Sequence, residues 1–240
     1  MTRSIHISYD AGDHEKKGAE IRTAIVTLVK KAASVDGIPI SELSLLEGGC
    51  GLGFLMRDLR NEGCRNLTGL DFDDHCLSES SRFGDVFKKD LQDLGKSVEE
   101  NSFDVVVLSH VLEHMKNPID VLSHAKKISR RWVIVACPNP IRPMILAKHA
   151  LFGRDYSNAG HLYSWDRSHF SNFLERYNNL RLVQWATDDV QIIPFRFLRK
   201  CLDFLGLLKL IEVTIAPKLL PYFSSSLIVL CEHVENVKNH

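Results

Sequence analysis

Apolar positions recur along this chain with two periods, and the switch from one to the other marks its elements. "KKGAEIRTAIVTLVKKAAS", Lys16 to Ser34, carries apolar residues at helical spacing and predicts a leading helix that "GIPIS" ends. Short apolar runs and helical stretches then take turns: a strand at Leu43–Leu46, a helix from about Gly53 to Glu62, a strand at "NLTGLDF", a helix opening near Asp74 and a short strand around Val86–Phe87. "FDVVVLSHVLEHM" reads as a strand running into a loop, "NPIDVLSHAKKIS" as a helix, and "RWVIVACPNP" as a strand stopped by proline. Strands alternating with helices at this spacing predict an α/β fold, a mostly parallel sheet covered on both faces. After Asn139 the pattern loosens, and "PIRPMILAKHALFGRDYSNAGHLYSWDRSHF" reads as loop and short helix. A helix at "DRSHFSNFLERY" follows, then a strand at "LRLVQWAT", an apolar helical insertion from about Ile193 to Phe223, and a last strand at "SSLIVLCEHV". Two closing strands separated by an insertion predict an antiparallel edge in place of another βαβ unit.

Composition narrows this without changing it. With 240 residues, 45% hydrophobic and 25% charged, the chain can bury a full core as a single domain. Thirty basic and thirty acidic residues cancel, so no global field steers it onto nucleic acid, which is not expected as a partner. Six cysteines stand without any C-x-x-C pair, which fits reduced thiols in the cytoplasm better than disulfides or a zinc site. The first residues lack the apolar core of a signal peptide, and no uninterrupted apolar run is long enough to span a bilayer.

The candidate chemistry begins at "LLEGGCGLGF". A dinucleotide fingerprint G-x-G-x-x-G needs glycine where this chain, counted from Gly49, has Phe54. The glycines fall instead at Gly49, Gly51 and Gly53, with Glu47 just before them. A carboxylate there repels a pyrophosphate and attracts an ammonium or sulfonium, so the turn suits a cofactor that is cationic near its reactive end. A P-loop is excluded because no Gly-Lys-Ser/Thr follows. Asp71, at the end of "TGLDF", lies about twenty residues beyond the turn, where an acid can accept both hydroxyls of a ribose. Asp90, in "FKKDLQDL", can reach an adenine amino group from the next strand over.

Taken together, Leu43 to Asn139 resembles the class I, Rossmann-like S-adenosylmethionine-dependent methyltransferases. "LLEGGCGLG", "LTGLDFD", "KDLQDL", "FDVVVLSHVLEHM" and "WVIVACPNP" are similar to the family's five motifs in order, with the V-L-E-H signature of its small-molecule members. The resemblance implies a three-layer fold with a mostly parallel seven-stranded sheet, an antiparallel edge strand and a helical insertion before the last strand. It divides the chain into an N-terminal helical segment at 1–42, a cofactor-binding core at 43–139, a substrate loop at 140–170 and a helical lid at 193–223. By the same resemblance Glu47, Gly49 and Gly51 line the methionine end of the cofactor, Asp71 holds the ribose, Asp90 the adenine, and Leu91 packs on the adenine ring. Ser109 and His110 stand beside the methyl, and Cys50 and Phe72 complete the cofactor-binding set. The expected cofactor is S-adenosyl-L-methionine, with S-adenosyl-L-homocysteine as product. The expected acceptor is a small molecule, lipid- or sugar-linked acceptors included, with O-methylation placed ahead of N-methylation. Two competing readings are a methyltransferase-like subunit without catalysis and a nucleotide-sugar or dinucleotide enzyme on the same fold. Phe54 and Glu47 argue against the second.

Displacement at a sulfonium methyl asks mainly for alignment and dryness, and a general base helps without being required. His110, His114 and His161 are the candidates. "HVLEH" is also similar to the E-x-x-E-H pattern by which some O-methyltransferases hold a divalent ion, which would make His110, Glu113 and His114 ligands. V-L-E-H also occurs in metal-free relatives, so no metal is assigned. Tyr163 and Trp165 are expected as walls of the substrate pocket. The insertion at Ile192 to Phe223 has three readings: a packed helix pair, a lid over the acceptor, or a surface for peripheral membrane contact.

Overall fold

Leu45 and Leu46 sit side by side in β1 (Ser44–Gly48) and point opposite ways, each into its own apolar layer. The same split runs through β4 (Phe103–Ser109), where Val105 and Val107 face one layer and Val106 and Leu108 the other. A strand buried on both sides reads as a continuous apolar run, which is why these strands are plain in the sequence. The computed structural model describes residues 15, 18–96, 98–153 and 160–233. Among them, seven strands form one sheet in the order β3-β2-β1-β4-β5-β7-β6. β2 is Asn66–Asp71, β3 Asp85–Lys88, β5 Ser129–Pro138, β6 Leu180–Ala186 and β7 Ser226–His233. The first five are parallel, and β7 lies antiparallel between β5 and the edge strand β6.

One face is covered by α1 (Ala19–Asp36) and α2 (Phe54–Asn61). In α1, Ile21, Ile25, Leu28, Val29 and Ala32 follow helical spacing and are buried. Burial of each of the larger ones contributes about 1.5–3 kcal/mol. Gly37, at φ +68°, ends the helix and returns its N–H to Ala33 O. The leading helix therefore starts at Ala19, and Lys16 and Lys17 of the expected span lie outside the described residues. The other face is covered by α4 (Pro118–Ile128), which follows α3 (Asp74–Ser80), and by α6 (Arg167–Asn172) with its π-turn continuation Phe173–Tyr177.

Two segments after β5 differ from the sequence reading in extent. The stretch read as loop and short helix holds α5 (Pro143–Phe152), a ten-residue helix with proline in its first turn and no buried side chain. Its apolar residues are spread around the axis, so no periodic face announces it. Residues 154–159 of the expected substrate loop lie outside the described residues. The insertion is helical as expected, with α7 (Arg196–Phe204) followed by a broken helical run at 207–219. No helix of the described residues is long and apolar enough to cross a membrane.

Candidate active site

The carboxyl ends of β1, β4 and β5 open into a cavity of about 1180 Å³, the place where open α/β sheets take their ligands. β1 stops there because Gly49 and Gly51 adopt φ of +75° and +51°, a region that side chains disfavour. A Cβ at Gly49 would meet Val111 Cγ2 at 2.6 Å, so that part of the turn is packed from within. A Cβ at Gly51 would meet nothing within 4 Å, so its backbone is open to close approach by a ligand.

Glu47 lines the same cavity, is 5% exposed, and has no hydrogen-bond partner for Oε2. Burial pushes its carboxyl up to about 8; Asp71's charge adds to this and Arg22 works against it. Asp71, at the end of β2, accepts the Gly51 N–H on Oδ2 at 2.8 Å and the Asp73 N–H on Oδ1 at 3.0 Å. It therefore braces the turn that it was expected to serve only through ribose, while each oxygen keeps a lone pair. The Cys50 thiol is pushed to about 12 by burial and then by Glu47, and is inert as a nucleophile.

The cavity brings together Glu47, Gly49, Cys50, Gly51, Ser109, His110, His114 and His161. Leu91 is buried behind the turn, with its Cδ2 3.3 Å from where a Gly48 Cβ would stand. Phe72 and Asp90 lie outside the cavity wall. Phe72 is 72% exposed, and the exposed Asp90 accepts the Gln92 N–H on Oδ1 at 2.9 Å. Tyr163 and Trp165, expected as walls of the substrate pocket, do not line the cavity: they stack at 5.4 Å, and Trp165 leans on Phe170 and Phe173 against the core.

Among the histidines, His110 follows the last residue of β4 at φ +55°. Its Nδ1 lies 3.3 Å from Glu113 Oε1, an ion-pair distance whose geometry falls short of a hydrogen bond. Glu113 is buried on the 3-10 turn Leu112–His114. Burial raises its carboxyl, the facing His110 pulls it back, and the balance is a lowered pKa. His114 Nδ1 donates to the Gly160 carbonyl at 3.1 Å, and its ring meets that of His161 edge-on at 4.8 Å. Burial pushes the His161 imidazole down, with Glu113 offsetting part of the effect.

Three further groups on this cavity escaped the sequence reading. Arg22 of α1 is 8% exposed and pairs with Asp58 at 2.6 Å. It stands inside an amphipathic run, and only tertiary packing buries it. Arg142 lies between Pro140 and Pro143, has no partner for Nε, and burial lowers its pKa against Asp189 and Asp188. Glu212, 3% exposed, binds Arg199 at 2.7 Å.

An open sheet of this order, with an acid and a glycine turn at the end of β1 and a second acid at the end of β2, defines a Rossmann-like enzyme for a nucleoside-bearing cofactor. Residues 17–184 match the family model described as a methyltransferase domain. The chain belongs to that family. Similar folds include the magnesium protoporphyrin IX methyltransferase ChlM from Synechocystis PCC 6803 with bound S-adenosylhomocysteine, at 16% identity and TM-score 0.58 over 90% of this chain and 86% of that one. The methyltransferase in complex with the Trm112 activator from Haloferax volcanii gives 16% identity and TM-score 0.63 over 97% and 99%. A S-adenosylmethionine-dependent methyltransferase from Archaeoglobus fulgidus gives 15% and 0.56 over 93% and 100%. At such identities the likeness carries the fold. No curated protein matches the sequence. The residues present fit S-adenosylmethionine: Glu47, a buried carboxyl raised to about 8 with an orphaned Oε2, would be drawn to its ionised form by a cationic group beside it, and open space at Gly51 admits close approach to the backbone.

Proposed function

We propose that the chain methylates an oxygen of a small acceptor that also carries an anionic group. Arg142 carries this reading: a half-buried guanidinium whose Nε finds no partner among the described residues, on the wall shared with His110, His114 and His161. A desolvated cation with a donor left open beside a reaction site is a receptor for carboxylate or phosphate. S-adenosylmethionine supplies the methyl group on a sulfonium that leaves without acid assistance. Glu47, Gly49, Gly51 and Asp71 would hold it. His110 is the base: Glu113 Oε1 facing Nδ1 favours the proton there, and Nε2, held only by a long 3.5 Å contact with Ser226 Oγ, takes one from the acceptor.

The insertion acts as the lid. Of its described side chains, 196–223 buries Glu212, Ala216 and Pro217 alone, too few for a helix pair with its own core. Arg199, Asp203 and Lys209 line the cavity, and Lys209 reaches Glu20 of α1 at 3.2 Å. A contact between those elements closes the opening against water, which strengthens electrostatics within. Six cysteines, all unpaired, support a reducing, cytoplasmic setting.

A screen of acceptors read as S-adenosylhomocysteine formation tests this. Among active acceptors, anionic ones should predominate, and Arg142→Ala should raise their KM by about 10–100-fold through lost charge-assisted hydrogen bonds, leaving cofactor affinity unchanged. Equal losses on neutral and anionic acceptors would contradict the role given to Arg142.

A further inference from the structure

Glu113 poses a problem that the methyl-transfer reading does not resolve. Its carboxylate is 1% exposed, and neither oxygen has a hydrogen-bond partner. Oε1 faces His110 Nδ1 at 3.3 Å and the buried Cys137 thiol lies against the same carboxylate, but neither neighbour meets it with hydrogen-bond geometry, and neither is a fixed cation. A buried ionised carboxylate in this state is costly unless a cation completes it.

Two imidazoles complete the surroundings. The ligand-capable atoms of Glu113, His114 and His161 all lie within 4.8 Å of one another. His114 is already set up for coordination: with the Nδ1 proton given to the Gly160 carbonyl, Nε2 carries the free lone pair. His161 is held by a separate set of contacts. The N–H groups of Leu162 and Tyr163 donate to the Glu113 backbone carbonyl at 2.7 and 3.2 Å, and the Tyr163 hydroxyl donates to the Lys116 carbonyl at 3.1 Å. None of these bonds uses the Glu113 side chain, so the backbone fixes the three donors around a point that the protein itself leaves unfilled.

We propose that Glu113, His114 and His161 bind one divalent transition-metal ion of zinc-like preference, with an open coordination position toward the cavity. Two nitrogens and one carboxylate form the three-ligand set that zinc uses when it keeps a site for substrate, whereas magnesium and calcium call for oxygen donors. The sequence alone did not suggest this set, because His161, 47 residues from His114, is invisible as a partner in the linear motif. His110, which the motif offered as a ligand, instead faces Oε1. The open position suits an acceptor oxygen, whose proton an adjacent cation makes easier to remove. That last step rests on the methyl-transfer reading; the metal site does not.

The test begins without cofactor or acceptor. Protein stripped with a chelator is titrated with zinc chloride by calorimetry, and separately with cobalt(II) followed by visible absorption. The wild-type chain should take up one equivalent of zinc and give a cobalt d–d band. Glu113→Gln and His161→Ala should each weaken binding by about tenfold or more, while His75→Ala, an exposed histidine on α3, should leave it unchanged. Circular dichroism of each variant separates lost binding from lost fold. No zinc uptake, or uptake that the well-folded Glu113→Gln and His161→Ala variants retain, would overturn the site. If zinc binds as described but the stripped enzyme methylates at the full rate, the site stands and the acceptor role falls. If zinc binds and no acceptor is methylated, the failure lies with the methyl-transfer reading alone.

Discussion

At the scale of single residues, Glu47 is the group whose environment conflicts most with its charge. Burial, and then Asp71, raise its carboxyl from the ordinary 4.5 to about 8. A carboxyl raised on folding binds more protons in the native than in the unfolded state between those values, so its contribution to stability is full below about 4.5 and is lost as pH rises through 8. Glu47→Gln removes that dependence. Thermal melts of the cofactor-free protein should show the variant gaining on the wild type as pH climbs from 5 to about 8.5. A constant difference across that range would mean that Glu47 is already ionised in the folded chain. The same residue shows how far the sequence reaches: an acid before a glycine turn was legible, but its orphaned oxygen was not. Asp71 is similar. Its place at a strand end was readable, while its bond to the Gly51 N–H joins positions twenty residues apart and needs the fold. Arg142 left no sequence signal because burial gives it meaning, and burial there comes from distant elements.

At the scale of elements, the strands were readable wherever both faces are buried, as in "DVVVLS" and "WVIVAC", and the helices wherever one face is apolar, as in α1. α5 was not, since helices without a buried stripe carry no period. The insertion depends on one side chain. Glu212 Oε1 accepts the N–H groups of Ile192 and Ile193 at 3.0 Å each and the Arg199 guanidinium at 2.7 Å, and its carbonyl accepts the Val190 N–H at 2.8 Å. Glu212→Ala keeps the carbonyl but would leave the Ile192 and Ile193 N–H groups and the Arg199 guanidinium without Oε1, at a cost of roughly 1–3 kcal/mol. Hydrogen exchange should then speed up across 196–219 while β1, β4 and β5 stay protected, and turnover should fall with cofactor affinity retained. Uniform exchange throughout the chain would show that the insertion is part of the core and not a lid on it.

At the scale of the whole molecule, parallel strands end on one edge of the sheet, and that edge collects everything the chemistry uses. Glu47 and the glycines come from β1, His110 from β4, Arg142 from beyond β5, and the closing residues from the insertion between β6 and β7. Balanced charge leaves recognition to the cavity and not to a long-range field. The central claim is that this edge binds S-adenosylmethionine against the open backbone of Gly51. Calorimetric titration of the wild type and of Gly51→Val with S-adenosylmethionine tests it most directly. A valine there meets no protein atom within 4 Å at its Cβ, so the variant should fold, at the strain of a side chain at φ +51°, and fill the ligand's space. The account predicts micromolar binding by the wild type, none by the folded variant, and none of NAD by either. Retained affinity in Gly51→Val, or NAD binding in place of S-adenosylmethionine, would contradict it.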